Sequence, residues 1–331
     1  MKAAIFERRG PAREVLKVAQ RPTPEPGPGE VRVRIAVSAV NPSDTKARGN
    51  WLGAASMAFP VITPHQDGAG TIDRVGAGVS TERVGERVWL YMAQRGRPFG
   101  TAAEYCVVPA ERAVPLPQTA SFHDGACLGI PAMTAHYVLF SDGAVCCKTV
   151  LVQGGAGAVG FYAVQLAKWG GARKVIATVS REAQAVQARA AGADVVVYYT
   201  KPDAIAEIRA AAGGDAAVDR IIEVNFAANI ATDVAVIARN GVIASYGSDA
   251  DPEPKLPFSA FLQKDVTLRL ALIYEAPQSA REAAVRDINQ LIETGTLKHQ
   301  VAERFPLERI VAAHEALETR KVVGKILLDV A

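Results

Sequence analysis

The 331-residue sequence predicts an α/β protein: a doubly wound parallel sheet joined to a strand-rich barrel or sandwich. Three observations predict it. From about residue 122 to 276, strand-like and helix-like segments alternate, which is the pattern of a parallel sheet covered by helices. Before about residue 121, short strand candidates follow one another with glycine and proline between them. After about residue 277 come two amphipathic helices and one last strand, which is expected to return to the first region. The expected domains are therefore 1–121 with 277–331, and 122–276.

The elements follow in order. PTPEPGPGE (22–30) is a turn-rich connector, and VRVRIAVSAV (31–40) alternates as a half-buried strand does. TIDRVGAGV, GERVWLY and AEYCVVPAERAVPLP supply further short strands. TVLVQ (149–153) is a strand that runs into a helix from about 158. KVIATVS (174–180) is a second strand, followed by REAQAVQARAAGA, a helix stopped by Gly192. VVVYY (195–199), DRIIEV (219–224), GVIASYG (241–247) and VTLRLALIY (266–274) complete the sheet. SAREAAVRDINQLIETG (279–295) and PLERIVAAHEALET (306–319) are the late helices, and KILLDV (325–330) is the terminal strand.

Composition excludes several classes of function. Lys and Arg number 37 against 34 Asp and Glu, a formal charge of +3, with no long block of one sign. Neither nucleic acid nor an anionic membrane is thus called for as a partner. Lys2 to Phe6 is too short an apolar start for a signal peptide, and no run of apolar residues is long enough for a membrane span. Cys106, Cys127, Cys146 and Cys147 form no CxxC pair, so a reducing, cytoplasmic setting is expected.

Residues 149–170 carry the chemical signal. Gly155, Gly157 and Gly160 form GxGxxG directly after a strand and at the start of a helix, as a dinucleotide fingerprint requires. Small residues let the backbone approach a pyrophosphate, and the helix start offers free N–H groups. The second strand ends in Thr178-Val179-Ser180-Arg181. A hydroxyl and a guanidinium there suit the 2′-phosphate of NADP(H), whereas a carboxylate suits the ribose diol of NAD. Glu182 follows one residue later, an acid that a shifted register would bring to the ribose.

With these motifs in hand, the chain resembles the medium-chain dehydrogenase/reductase superfamily, in its zinc-free, zeta-crystallin-like NADPH:quinone oxidoreductase branch. The resemblance spans nearly the whole sequence. It is carried by NPSDTKARG (41–49), PHQDGAGTIDRVGAGV (64–79), GERVW (85–89), TAAEYCVVP (101–109), PAMTAHYVL (131–139) and GGAGAVG (154–160). It implies a GroES-like β-barrel catalytic domain and a Rossmann NADP(H)-binding domain. Beside Gly155, Gly160 and Arg181 of the motif and strand-end readings, it implies cofactor contacts at Ala156, Gly157, Ala158, Val159, Ser180, Tyr199, Asn229, Tyr246, Gly247, Ser248, Ala271, Leu272, Ile273 and Lys325. Thr134 matches a position beside the nicotinamide. The chain departs from the family at Lys46, where a tyrosine is usual, near Leu52, where a second tyrosine is absent, and at His65, where a glycine is usual.

Zinc relatives need cysteine and histidine ligands where this chain has Asn41 and Gln66, so no metal is expected. Without a Lewis acid to support an alkoxide, the favoured acceptor is one already activated toward hydride. A quinone qualifies, and so does an enone or alkenal double bond. Asn41, Lys46 and Thr134 are the catalytic candidates; Trp51, His65 and Tyr274 are candidates for the substrate pocket. No residue stands out as a general acid, and water is the expected proton source. A rival of another class is a non-catalytic NADPH-binding protein: a sensor, a crystallin or an RNA binder. VTLRLALIY as an apolar edge strand, together with the resemblance, implies a homodimer.

Overall fold

The structure, a computed structural model, describes residues 1–50, 56–214, 217–319 and 321–330. The chain forms two compact units, Met1–Ile130 with Val285–Ala331 and Pro131–Ala284.

In the first unit, strands β1 (Lys2–Ile5), β2 (Lys17–Gln20), β3 (Glu30–Val40), β4 (Asp67–Val75), β5 (Arg87–Leu90), β6 (Tyr105–Pro109) and β7 (Ala113–Pro115) come in sequence. The second unit contributes β8 (Thr149–Val152), β9 (Lys174–Val179), β10 (Val195–Tyr198), β11 (Val218–Glu223), β12 (Ile237–Ser245) and β13 (Thr267–Leu270). The chain then re-enters the first unit with β14 (Val301–Pro306) and β15 (Lys325–Asp329).

β3 organises the first unit. Along one edge it pairs β6 through Glu30–Arg34 and β15 through Val37–Val40; along the other it pairs β4. The full order is β14-β15-β3-β4-β5-β7, and β1 pairs β2 separately. The predicted alternation in 31–40 is visible where Val31, Val33 and Ile35 enter a core with Ile72, Val88, Leu90 and Val108. Its second half, Val37–Val40, is buried without alternation, because both faces are covered there. Register shifts at Arg32/Val33 and Ile35/Val37 curve the sheet. The terminal strand returns to this unit as expected, and β14 runs parallel to it.

The second unit is a parallel sheet ordered β10-β9-β8-β11-β12-β13. From β8 the chain moves outward to β9 and β10, then crosses back to β11 on the other side of β8. This reversal leaves a crevice beyond the carboxyl ends of β8 and β11, where open α/β sheets bind ligands. Val150, Leu151, Val152, Ile176, Ile221 and Ile243 are fully buried, which is why their segments read as apolar runs rather than alternating ones. One expectation needs correction. VTLRLALIY is a strand only over Thr267–Leu270; Ile273–Glu275 is a 3-10 turn. β13 has one sheet neighbour, so nothing extends its pairing once Ala271 N–H has bonded to Ser245 O at 2.7 Å.

Candidate active site

The glycine loop leaves β8 at the reversal point. Gly154 adopts φ +70°, its N–H bonds to Thr178 Oγ1 at 3.0 Å, and Gly155 N–H bonds to Thr178 O at 3.0 Å. A Cβ on Gly155 would lie 2.5 Å from the Cβ of Ala177, and one on Gly160 would lie 2.2 Å from Gly154 O. Both positions therefore require glycine. The helix Ala158–Trp169 starts at Gly157, and its first intrahelical bond from beyond the first turn is Phe161 N–H to Gly157 O, 2.9 Å. The amides of Ala158, Val159 and Gly160 precede it, so helix geometry leaves them for an external acceptor.

A buried polar chain braces this loop. Thr178 Oγ1 donates to Gln153 Oε1 at 2.7 Å, and Gln153 Nε2 donates to Asp233 Oδ1 at 3.2 Å. Asp233 and Glu223 are both fully buried. Burial raises both carboxyls, and the charge of Glu223 pushes Asp233 well above the ordinary carboxylate range. Asn229 Nδ2 donates to Glu223 Oε1 at 2.9 Å, so this predicted cofactor residue is tied to that acid.

The other predicted cofactor residues of this unit follow the carboxyl ends of successive parallel strands. Ser180 follows β9, with its N–H and Oγ both bonded to Gln184 Oε1 at 2.8 Å. Arg181 is exposed at the start of the helix Glu182–Ala190. Glu182 is turned to Arg189 NH1, 2.9 Å, and to the hydroxyl of Tyr198, and these two bonds, the tyrosine's first, hold its carboxyl below the usual range. The acid next to Arg181 is thus engaged by its own helix and by the end of β10. Tyr199 follows β10 and is 55% exposed. Tyr246, Gly247 and Ser248 follow β12, where Ser248 Oγ accepts Ala227 N–H at 3.2 Å. Ala271 and Ile273 are buried while Leu272 is exposed beyond β13. Thr134 is buried on the helical segment Phe122–Phe140, and Tyr274 is half-buried in the 3-10 turn.

The first unit holds Asn41, Lys46, His65 and Lys325. Asn41 caps the helix Pro42–Gly49, and its N–H bonds to Asp44 Oδ2 at 2.8 Å. Its amide is engaged at both ends: Nδ2 donates to Asp67 Oδ2 at 2.7 Å, and Oδ1 accepts from the Lys325 ammonium. Lys325 Nζ also lies 3.3 Å from Asp67 Oδ2, with both side chains buried. Ile130 N–H adds a third donor to Asp67 at 2.9 Å. That approach needs Gly129, where a Cβ would lie 2.0 Å from Asp67 Oδ1. Burial raises Asp67 against the pull of Lys325, and burial with the charge of Asp67 pushes Asp44 up to about 7. Lys46 sits half-buried on the same helix. Trp51 lies outside the described residues.

His65 is fully buried, at φ +83°. Its partner is His314, distant in sequence, with the two Nε2 atoms 2.9 Å apart. The groups at the ends fix the direction of the chain. Arg48 Nε only donates, and it reaches His314 Nδ1 at 3.4 Å; the carbonyl of Asp67 only accepts, and it takes Thr101 Oγ1–H at 2.5 Å. Between them, His314 Nε2–H donates to His65 Nε2, and His65 Nδ1–H donates to Ser38 Oγ at 2.8 Å. Ser38 Oγ–H then donates to Thr101 at 2.7 Å. Every bond is satisfied with both imidazoles neutral. Burial lowers both pKa values, that of His314 to about 3.

Sequence reasoning passed over Ser38, Arg48, Thr101 and His314 and gave Asp67 no role. The missed signal is the density of polar residues in PHQDGAG beside a strand that is otherwise buried. Zinc does not fit here. The aligned side chains are the amides of Asn41 and Gln66, and the Lys325 ammonium already occupies the neighbourhood of Asp67. A dinucleotide does fit the second unit, whose loop is closed to side chains at Gly155 and Gly160 and open to a backbone-bound anion.

Residues 27–118 match the alcohol dehydrogenase GroES-like domain, and residues 158–290 match a family described as zinc-binding dehydrogenase. The quinone oxidoreductase of Rattus norvegicus is 31% identical over 98% of this chain and 96% of its own length. The crystal structure of Escherichia coli quinone oxidoreductase complexed with NADPH is 26% identical, with a TM-score of 0.87 and full coverage of both chains. A structure described as an NAD-dependent alcohol dehydrogenase is 31% identical, with a TM-score of 0.90 and full coverage of both.

Proposed function

The chain belongs to the quinone oxidoreductase family of medium-chain dehydrogenases/reductases, and on that premise we propose that it reduces quinones with NADPH, by hydride (or electron) transfer without a metal. The observation that carries the proposal is the loop 154–160, where a Cβ at Gly160 would meet Gly154 O at 2.2 Å and the first-turn amides are left for a diphosphate. NADPH, when bound, supplies the reducing equivalents. The residues of the chain bind and orient it: the loop amides hold the diphosphate, and Ser180 with Arg181 holds the 2′-phosphate. Tyr199, Asn229, the 246–248 segment and the 271–273 segment line the same strand ends. In the first unit, Asn41 acts through its neighbours, tying Lys325 to Asp67. Lys46, Thr134, Tyr274 and Trp51 remain the proposed acceptor-side set; His65, fully buried and bonded through both ring nitrogens to Ser38 and His314, is removed from it.

Two experiments test this. Steady-state NADPH oxidation is expected to be faster with a benzoquinone than with an α,β-unsaturated ketone. The reverse order would assign the acceptor to activated alkenes, and binding without turnover of either would favour a non-catalytic role. For the cofactor, Arg181→Ala removes a charge-assisted hydrogen bond of about 1.5–3 kcal/mol, an expected loss of about 10- to 100-fold in NADPH affinity. NADH affinity should stay within about twofold; an equal loss for both would remove Arg181 from phosphate recognition.

The proposed assembly is a homodimer through β13, an edge strand whose last residue, Leu270, is 75% exposed. A cytoplasmic location is supported by four free cysteines. Among the described residues, no helix is long and apolar enough to cross a membrane.

A further inference from the structure

Cys146 and Cys147 stand outside the machinery above. They occupy the turn between Phe140 and β8 in the second unit, at the end of β8 opposite the glycine loop. Both are exposed, and their Sγ atoms lie 3.5 Å apart. Neighbouring residues of an extended chain point to opposite sides. Here Cys147 adopts φ +62°, a region non-glycine residues seldom enter, and that backbone sets both thiols together.

The surrounding turn holds this arrangement. Cys147 N–H bonds to Gly171 O at 2.9 Å, and Lys148 N–H bonds to Val145 O at 3.0 Å. Upstream, the Asp142 carboxylate pairs with Arg269, and the Asp142 carbonyl accepts from Arg220 at 3.0 Å. The pair is therefore presented by its backbone as a ready bidentate ligand. The other two thiols, Cys106 and Cys127, are buried and pushed up to about 12, so they do not compete for a reagent in solution.

We propose that Cys146 and Cys147 form a chelating site for a thiophilic trivalent arsenical. The spacing selects the geometry of the bound centre. A tetrahedral centre about 2.3 Å from each sulfur holds the two about 3.7 Å apart, and a linear one holds them about 4.6 Å apart. A pyramidal trivalent centre, with a narrower angle at the metalloid, holds them closer than a tetrahedral one and fits the observed separation. The reaction is a condensation with no change of oxidation state. Two As–S bonds replace the two bonds from arsenic to oxygen, two S–H bonds break, and the protons leave with the oxygen as water. No oxidant is required, in contrast to closure to a disulfide, which must bring the sulfurs to about 2.05 Å.

Phenylarsine oxide is the probe. The pre-reduced full-length protein, treated with an equimolar amount and examined by intact mass spectrometry, should gain one phenylarsine oxide less one water. The adduct should survive excess glutathione, a monothiol, and be released by 2,3-dimercaptopropanol. Cys146→Ser and Cys147→Ser, both at exposed positions, should each abolish the glutathione-resistant adduct while leaving the thermal melt unchanged. A resistant adduct in either serine variant would place the site elsewhere and overturn the proposal. So would an adduct that glutathione strips from the wild type, or a reduced pair that closes to a disulfide and takes up no arsenical.

Discussion

Replacing Lys325 by Met is expected to destabilise the first unit by about 3–5 kcal/mol, because it leaves a buried carboxylate without its cation. Lys325 is 5% exposed, and Asp67 has no exposed surface. Asp67 would keep its bonds from Asn41 and from Ile130 N–H, while Asn41 Oδ1 would lose its donor. Urea unfolding at about pH 8, where an unfolded aspartate is fully ionised, measures the loss. The sign of its pH dependence is fixed. Burial already raises Asp67, and removing Lys325 raises it further. The folded state then holds a proton that the unfolded state releases above its ordinary pKa. Stability is recovered as pH falls toward that value and lost as pH rises through the folded one. Asp67→Asn on the Lys325→Met background removes the charge and should restore most of the loss at about pH 8. A single variant within about 1 kcal/mol of wild type would mean that the pair does not hold this corner of the sheet.

How much of this was legible depends on what burial does to a sequence. β8 and β9 lie inside a sheet covered on both faces, so TVLV and KVIATV read directly as mostly apolar runs, whereas β11 buries Arg220 and Glu223 on either side of its two isoleucines; the glycine loop is legible because two of its glycines have no alternative. VTLRLALIY is an edge strand, as its sequence implies, but a shorter one: apolar content does not mark where a strand ends, and beyond Leu270 the chain enters a turn with Leu272 exposed. β14 was invisible, since VAERFP is a mostly exposed strand whose pairing with β15 is a tertiary fact. The polar cluster of the first unit shows the limit most clearly. His65 and His314 are 249 residues apart, and each alone looks like a scattered histidine. Only the fold brings them face to face, and only the donor at Arg48 and the acceptor at Asp67 fix their tautomers.

That neutral pair makes stability fall in acid by an amount that can be isolated. An unfolded histidine takes up a proton below about pH 6.5. In the fold, burial keeps His65 well below that value and His314 at about 3, so within this window the unfolded state binds more protons than the folded one. Stability from the pair is complete above the unfolded pKa and declines as pH falls toward the folded value, by about 1.4 kcal/mol per pH unit for each imidazole that stays neutral. Asp44, pushed up to about 7, works in the opposite direction, since its folded carboxyl binds a proton that the unfolded one lacks. Asp67, Glu223 and Asp233, also raised by burial, act in the same sense as Asp44, so the wild-type profile alone mixes these contributions with that of the histidines. His65→Asn with His314→Asn removes the imidazoles, and asparagine tolerates the left-handed backbone at position 65. Between about pH 8 and pH 5, the wild type is expected to lose about 2 kcal/mol relative to this variant for each imidazole, about 4 for the pair. Urea unfolding of both proteins across that range gives the difference, and NMR of the imidazole C–H protons gives an independent readout that does not need the variant to fold. Parallel profiles, or the imidazoles of His65 and His314 titrating near pH 6.5 in the folded protein, would show that the chain from Arg48 to Asp67 does not hold its histidines neutral.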